Sequence, residues 1–238
     1  MLLPVPNRRE RMDDRPKFRR QTSDERRKML TEATLRCLAE GSVDRLSVRT
    51  ISAEAGVSVG LINHHYASKE ALIADAYRRA ADDLLAGLAA AVETAPDDPR
   101  ARLAAFLRDS FSPRVLDPKL LKMWTAFWTM ADRSPEVQEV HELTYAEYRA
   151  FLERLLADLA RDAAGRFDVR LAAIGLTALL DGLWLELCLN PKTFTPEEGV
   201  RLCEALVETH VSGRLAPGRS APAARAAGAR ISTDPQSR

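Results

Sequence analysis

Residues 48–69, VRTISAEAGVSVGLINHHYASK, limit the fold more tightly than any other stretch of the chain. Two short apolar-patterned runs flank Ala55-Gly56-Val57. Neither run is long enough to stand as a helix without packing, and two helices joined by so tight a turn must cross at a steep angle. Ser47 is placed to cap the first, which runs to about Glu54, and the second runs from Ser58 to His64 or His65. Gly56 suits a left-handed turn residue. Ser52 is small where the helices come closest, and Ile51, Ala55, Val57 and Ile62 can share a miniature core. Ser58, Val59, Gly60, Leu61, Asn63 and His64 then face outward, on a helix that fits the major groove of B-DNA. Two short helices in an ordinary α-domain would show the same local pattern, so the rest of the chain has to decide.

That rest is helical in pattern and punctuated by proline. The composition, rich in Ala, Leu, Arg, Glu and Asp with only 6% aromatics, favours helices over strands. A first helix is expected after a cap at Ser23 or Asp24, striped by Leu30, Ala33, Thr34, Cys37 and Leu38 and closed by Gly41. A long helix follows from Lys69 to about Val92. Further helices are expected at about 100–112, 118–131, 135–162, 168–189 and 196–211, with Pro118, Pro135 and Pro196 where a first turn tolerates proline. The expectation is an all-α fold of nine helices, three in an N-terminal head at 23–70 and six in a body at 71–212. Residues 1–22 read as a disordered basic arm, within which Met12 offers a second start, and 213–238 as a disordered tail.

The net charge of +1 hides an asymmetry. Residues 1–70 hold 14 basic and 10 acidic side chains, and 213–238 hold 5 and 1, while the stretch between holds 16 and 23. A basic head on an acidic body suits a polyanion partner bound by the head alone. The three cysteines, Cys37, Cys188 and Cys203, have no CxxC spacing and read as small core hydrophobes of a cytoplasmic protein. No secretory leader is evident before Asp14. Leu171 to Leu189 is apolar enough to span a membrane, but Asp181 and Glu186 lie inside it, so a core helix of a soluble protein fits better.

The continuation Ser58-x-Gly60-x-Ile62-x-x-His65-Tyr66-x-Ser68-Lys69 resembles the signature of the TetR family of bacterial transcriptional regulators. The resemblance spans about Arg36 to Lys69. It implies that the helix from Ser58 reads operator DNA, that Tyr66 closes the head and that Lys69 contacts a phosphate. It makes Ser58, Asn63, His65 and Lys69 phosphate candidates and Val59, Gly60 and His64 base-facing candidates, with Arg49 a further phosphate contact. Asn63 departs from the tyrosine usual at its position, and Asn can bond a phosphate or an adenine edge. His64 and His65 point about 100° apart on a helix and so do not chelate one metal ion together.

In the body, Trp124, Phe127 and Trp128 fall at i, i+3 and i+4, and Asp181 and Trp184 at i and i+3 on a very apolar helix. Both segments resemble the choline-sensing BetI subgroup of that family, over roughly residues 100–195. A quaternary ammonium is held by aromatic faces and a buried counter-charge, and Trp124, Phe127, Trp128, Tyr145, Tyr148, Trp184 and Asp181 are the residue types it needs. Two alternatives stay open. The tryptophans can be core filler, and Asp181 can pair with an internal arginine such as Arg108 or Arg149, leaving a pocket for a neutral or acidic ligand. The last two helices carry Leu171, Ile174, Ala178, Leu185, Leu202, Leu206 and Val207, too apolar for a monomer surface. They imply a homodimer, which also matches a palindromic operator. No P-loop, HExxH or GxGxxG pattern occurs, so no catalytic residue, cofactor or metal is assigned. The expected function is a repressor that answers to a small-molecule effector. A helical ligand-binding protein without DNA binding is the remaining alternative.

Overall fold

The computed structural model describes residues 22–41, 43–162 and 168–212; the expected arm and tail lie outside these. The described residues form nine α-helices and no strand: α1 Ser23–Glu40, α2 Val48–Ala55, α3 Val59–His65, α4 Lys69–Glu93, α5 Pro99–Ser110, α6 Pro118–Ala131, α7 Pro135–Asp162, α8 Val169–Leu189 and α9 Pro196–Val211. The first cap is Thr22 rather than Ser23 or Asp24. Its hydroxyl accepts from the Glu25 N–H while the Glu25 carboxylate accepts from the Thr22 N–H at 2.7 Å, a reciprocal capping box that starts the helix one residue earlier. A 3₁₀ turn at Val43–Arg45, without a sequence signal, joins α1 to α2.

Two apolar cores organise these helices. One gathers α1 to α4 with α6 and the start of α7, around Leu30, Ile51, Ile62, Tyr77 and Phe127. The other gathers the end of α4 with α5, α7, α8 and α9, around Phe106, Leu152, Leu156 and Leu176. Long α4 contributes to both, so head and body share a helix rather than a linker. Val207 is buried in the second core, and so drops out of the apolar outer face expected for α8 and α9. On that face Leu171, Ile174, Leu189 and Leu202 are 50%, 39%, 66% and 50% exposed. By length and composition α8 could cross a membrane, with a third of its most apolar window buried. Its inner side packs on α7 and α9 and its outer side carries the exposed apolar stripe.

Candidate functional site

The head forms the expected pair of short helices. Gly56 ends α2 at φ 66°, a left-handed conformation that a side chain would strain. Ile51, Ser52 and Ile62 are buried between the helices, with Ala55 and Val57 packed at the margin. Ser58 caps α3, its hydroxyl accepting from the Leu61 N–H at 3.3 Å. The spelling Gly56-x-Ser58-x-Gly60 is also that of a hydrolase nucleophile elbow, but an elbow turns from strand to helix. Here it joins two helices and the serine is a cap.

Arg49, Ser58, Val59, Gly60, Asn63 and His64 are all exposed. Lys69, in the first turn of α4, is partly exposed, with Nζ 3.6 Å from Glu70 Oε1. His65 differs: its ring is half-buried and Nε2 is out of solvent with no hydrogen-bond partner. Burial, then the neighbouring His64, Arg26 and Arg27, lower its pKa, so the ring is uncharged at neutral pH. That placement disfavours His65 as a phosphate contact.

In the body, a cavity of about 110 Å³ lies between α4, α6, α7 and α8. A cavity of roughly 150 Å³ holds a benzene, so this space suits a ligand of similar size or slightly smaller. Trp124, Trp128, Tyr145, Tyr148, Asp181 and Trp184 line it together, with Leu84, Leu85, Leu88, Val115 and Thr144 among its other walls. Phe127 does not: it is fully buried and stacks on Tyr77, ring centres 4.3 Å apart, in the core of the head. Trp128 and Trp184 meet edge to face at 6.2 Å. The Trp184 N–H donates to the Val115 carbonyl at 2.9 Å, which fixes that ring from the loop before α6.

Asp181 carries the electrostatics. Burial raises its carboxyl to about 6, and the nearby Tyr145 hydroxyl works against that rise. Burial and the same carboxylate hold the Tyr145 and Tyr148 hydroxyls well above the ordinary tyrosine range. Among the described residues Asp181 has no ion pair. Arg108 and Arg149, the internal partners considered from the sequence, are both exposed. The cavity's other carboxylate, Glu147, is held by Arg78 at 3.0 Å. Two residues beside the site had no sequence signal beyond core spacing. Tyr77 and His141 Nδ1 share a hydrogen bond of 2.8 Å, and the His141 ring lies 4.5 Å from that of Tyr145.

Comparison with known proteins finds relatives for both regions. Residues 99–212 match the C-terminal domain of BetI-type transcriptional repressors, and residues 30–76 match the bacterial regulatory proteins of the tetR family. The HTH-type transcriptional regulator BetI of Burkholderia thailandensis is 30% identical over 189 residues, 79% of this chain and 95% of that protein. Among solved structures, a transcriptional regulator from Pseudomonas aeruginosa PAO1 is 49% identical with a TM-score of 0.77, over 83% of this chain and 95% of that one. A regulator from Saccharomonospora viridis, solved in complex with choline, shares the fold at a TM-score of 0.66 and 21% identity, over 78% of this chain and 96% of that one. With the pair of short helices in its N-terminal head and these relatives along most of its length, the chain belongs to the TetR family of bacterial transcriptional regulators, with a C-terminal domain of the BetI type, and is not an enzyme.

Proposed function

We propose that this regulator is a cytoplasmic repressor that binds a palindromic operator as a homodimer and answers to a small organic cation of the choline type. The observation that carries the effector reading is Asp181. A buried carboxylate without a cation is unfavourable, and this one faces a cavity walled by three indoles and two phenols. A quaternary ammonium would supply the missing charge and lay its methyl groups on the ring faces. Tyr145, Tyr148, Trp124, Trp128 and Trp184 would form the cage and Asp181 the counter-charge. Phe127 would support the cage from behind.

For DNA, Val59, Gly60 and His64 would meet base edges, and Arg49, Ser58, Asn63 and Lys69 would meet phosphates, with His65 the weakest of the set. The second copy would cover Leu171, Ile174, Ala178 and Leu202, an apolar stripe that the described residues leave exposed.

Calorimetry with choline and with dimethylbutanol, its neutral carbon isostere, tests the effector. Choline should bind at least tenfold more tightly, the scale of one desolvated cation–π contact. Equal binding would leave the second reading, a neutral ligand beside a protonated Asp181, the form the raised carboxyl favours below about pH 6. A gel shift on the DNA upstream of its own gene, at two salt concentrations, tests the regulator. A discrete site with a steep salt dependence is expected, and salt-insensitive or absent binding would refute it.

A further inference from the structure

Behind the recognition helix α3, one carboxylate gathers contacts from three helices. Asp75 lies in the second turn of α4, its side chain 28% exposed. The Tyr66 hydroxyl donates to its Oδ2 at 2.6 Å. Arg27 Nε, from α1, stands 3.7 Å from the same oxygen, and the Arg27 guanidinium carbon lies 4.9 Å from the centre of the Tyr66 ring. Arg79 Nε, one turn further along α4, is 3.9 Å from Oδ1. Tyr66 itself is the C-cap of α3 and is nearly fully buried.

The Tyr66 hydroxyl exceeds what packing asks of that position. A phenylalanine would fill the same apolar slot without a phenolic oxygen to satisfy. The hydroxyl adds direction, because a short bond to a carboxylate is strong and geometrically selective. Direction matters here because α3 has only seven residues, too few to hold an orientation alone. The turn at Gly56 ties its first end, and the Asp75 group ties its last. A carboxylate close to a DNA-binding head also repels phosphate, so its presence there calls for a geometric reason.

We propose that Asp75 is a positioning residue for DNA reading. By holding Tyr66 and Arg27 it sets the angle at which α3 presents Val59, Asn63 and His64 to the groove. It serves discrimination between sequences rather than overall grip. This rests on the DNA-binding reading above. The same helix α4 lines the effector cavity through Leu84, Leu85 and Leu88, so the joint also lies where a movement of α4 would reach α3.

The test uses the full chain. Operator duplexes are selected from random-sequence DNA by the parent protein, and a scrambled duplex of equal length is the comparison. Tyr66→Phe keeps the ring and deletes the bond. The ratio of operator to scrambled affinity should fall about tenfold, the scale of one hydrogen bond to a charged group. The unfolding temperature should stay within a few degrees of the parent's. Asp75→Asn should raise affinity for the scrambled duplex, through the lost negative charge, without an equal rise for the operator. An unchanged ratio in Tyr66→Phe overturns the positioning role. So does a Tyr66→Phe protein that unfolds, or whose two affinities fall in step with its unfolding temperature, since that marks a stability contact only. If the parent selects no discrete operator, the DNA-binding reading fails and takes the proposal with it.

Discussion

Asp181→Asn preserves the outline of a side chain and deletes its charge, and the two consequences have opposite signs. Burial lifts the folded carboxyl to about 6, against about 3.9 in an unfolded chain. An acid raised in this way destabilises the fold above its unfolded value. The penalty is absent below about pH 4, grows between the two values and is complete above about pH 6. At about 1.4 kcal/mol per tenfold, its ceiling is about 3 kcal/mol. Asparagine removes that penalty but introduces an amide N–H that needs a partner, which returns about 1–2 kcal/mol. The variant should therefore be about 1–2 kcal/mol more stable than the parent at neutral pH, a rise of roughly 2–8 °C in unfolding temperature. The gain should vanish at about pH 5 and become a loss of about 1–2 kcal/mol below about pH 4, where only the cost of the amide remains. Choline affinity should move the other way. Loss of the counter-charge, about 4 kcal/mol at about 4 Å and an effective dielectric near 20, should lower the affinity by up to about a thousandfold. The parent's affinity should climb with pH up to about 6 and then level, as the carboxylate ionises, while the variant's stays flat. Thermal melts from pH 4 to 8, paired with calorimetric titration of choline, read both effects. A variant destabilised by about 3–5 kcal/mol would mean that a buried ion pair had been broken, and the argument from an unpaired Asp181 would fail.

Other perturbations separate the remaining roles. Lys69→Ala should weaken binding to every sequence alike and reduce the salt slope by about one ion, whereas His64→Ala should change sequence preference; both are read by titrating operator and scrambled duplexes over a salt series. Ala178→Glu, which places a charge on the exposed apolar face of α8, should yield a monomer in light scattering that no longer binds operator tightly, and an intact dimer would show that the copies meet elsewhere. Gly56→Ala should destabilise the head by about 1 kcal/mol because a side chain is strained at φ 66° even with open space around it. Gly60→Ala, in an ordinary helical conformation with its nearest neighbour at 3.8 Å, should instead stabilise the fold by up to about 1 kcal/mol, so the two melts should shift in opposite directions.

The head was readable from sequence because its constraints are local. Ser47, Gly56, Ser58 and Ser68 each act within a few residues of themselves, as caps or as a turn. Prolines marked the first turns of α6, α7 and α9 for the same reason. Where a local signal had a stronger competitor, the reading slipped. Thr22 displaced Ser23 and Asp24 as the first cap because only Thr22 has Glu25 three residues on to close the box. The joints between distant segments carry no such signal. Tyr77 meets His141 across 64 positions and Trp184 meets Val115 across 69. The spacing of Tyr77 says only that it is buried, not what its hydroxyl touches.

The cavity shows how far periodicity reaches before packing takes over. Trp124, Phe127 and Trp128 share a helix face, and that face predicted all three as ligand contacts. At about 100° per residue, however, Trp128 stands some 40° to one side of Trp124 and Phe127 some 60° to the other. A face that wide spans two neighbours. On α6 the cavity takes the side of Trp124 and Trp128, while Phe127 turns toward α4 and stacks on Tyr77. Asp181 and Trp184 are also about 60° apart, yet both line the cavity, because α8 presents the middle of its face there. The residue types that suit a cation were present in the sequence. Which of them converge depends on the rotation of each helix about its own axis, which packing against α1 and α7 sets for α6 and packing against α7 and α9 sets for α8.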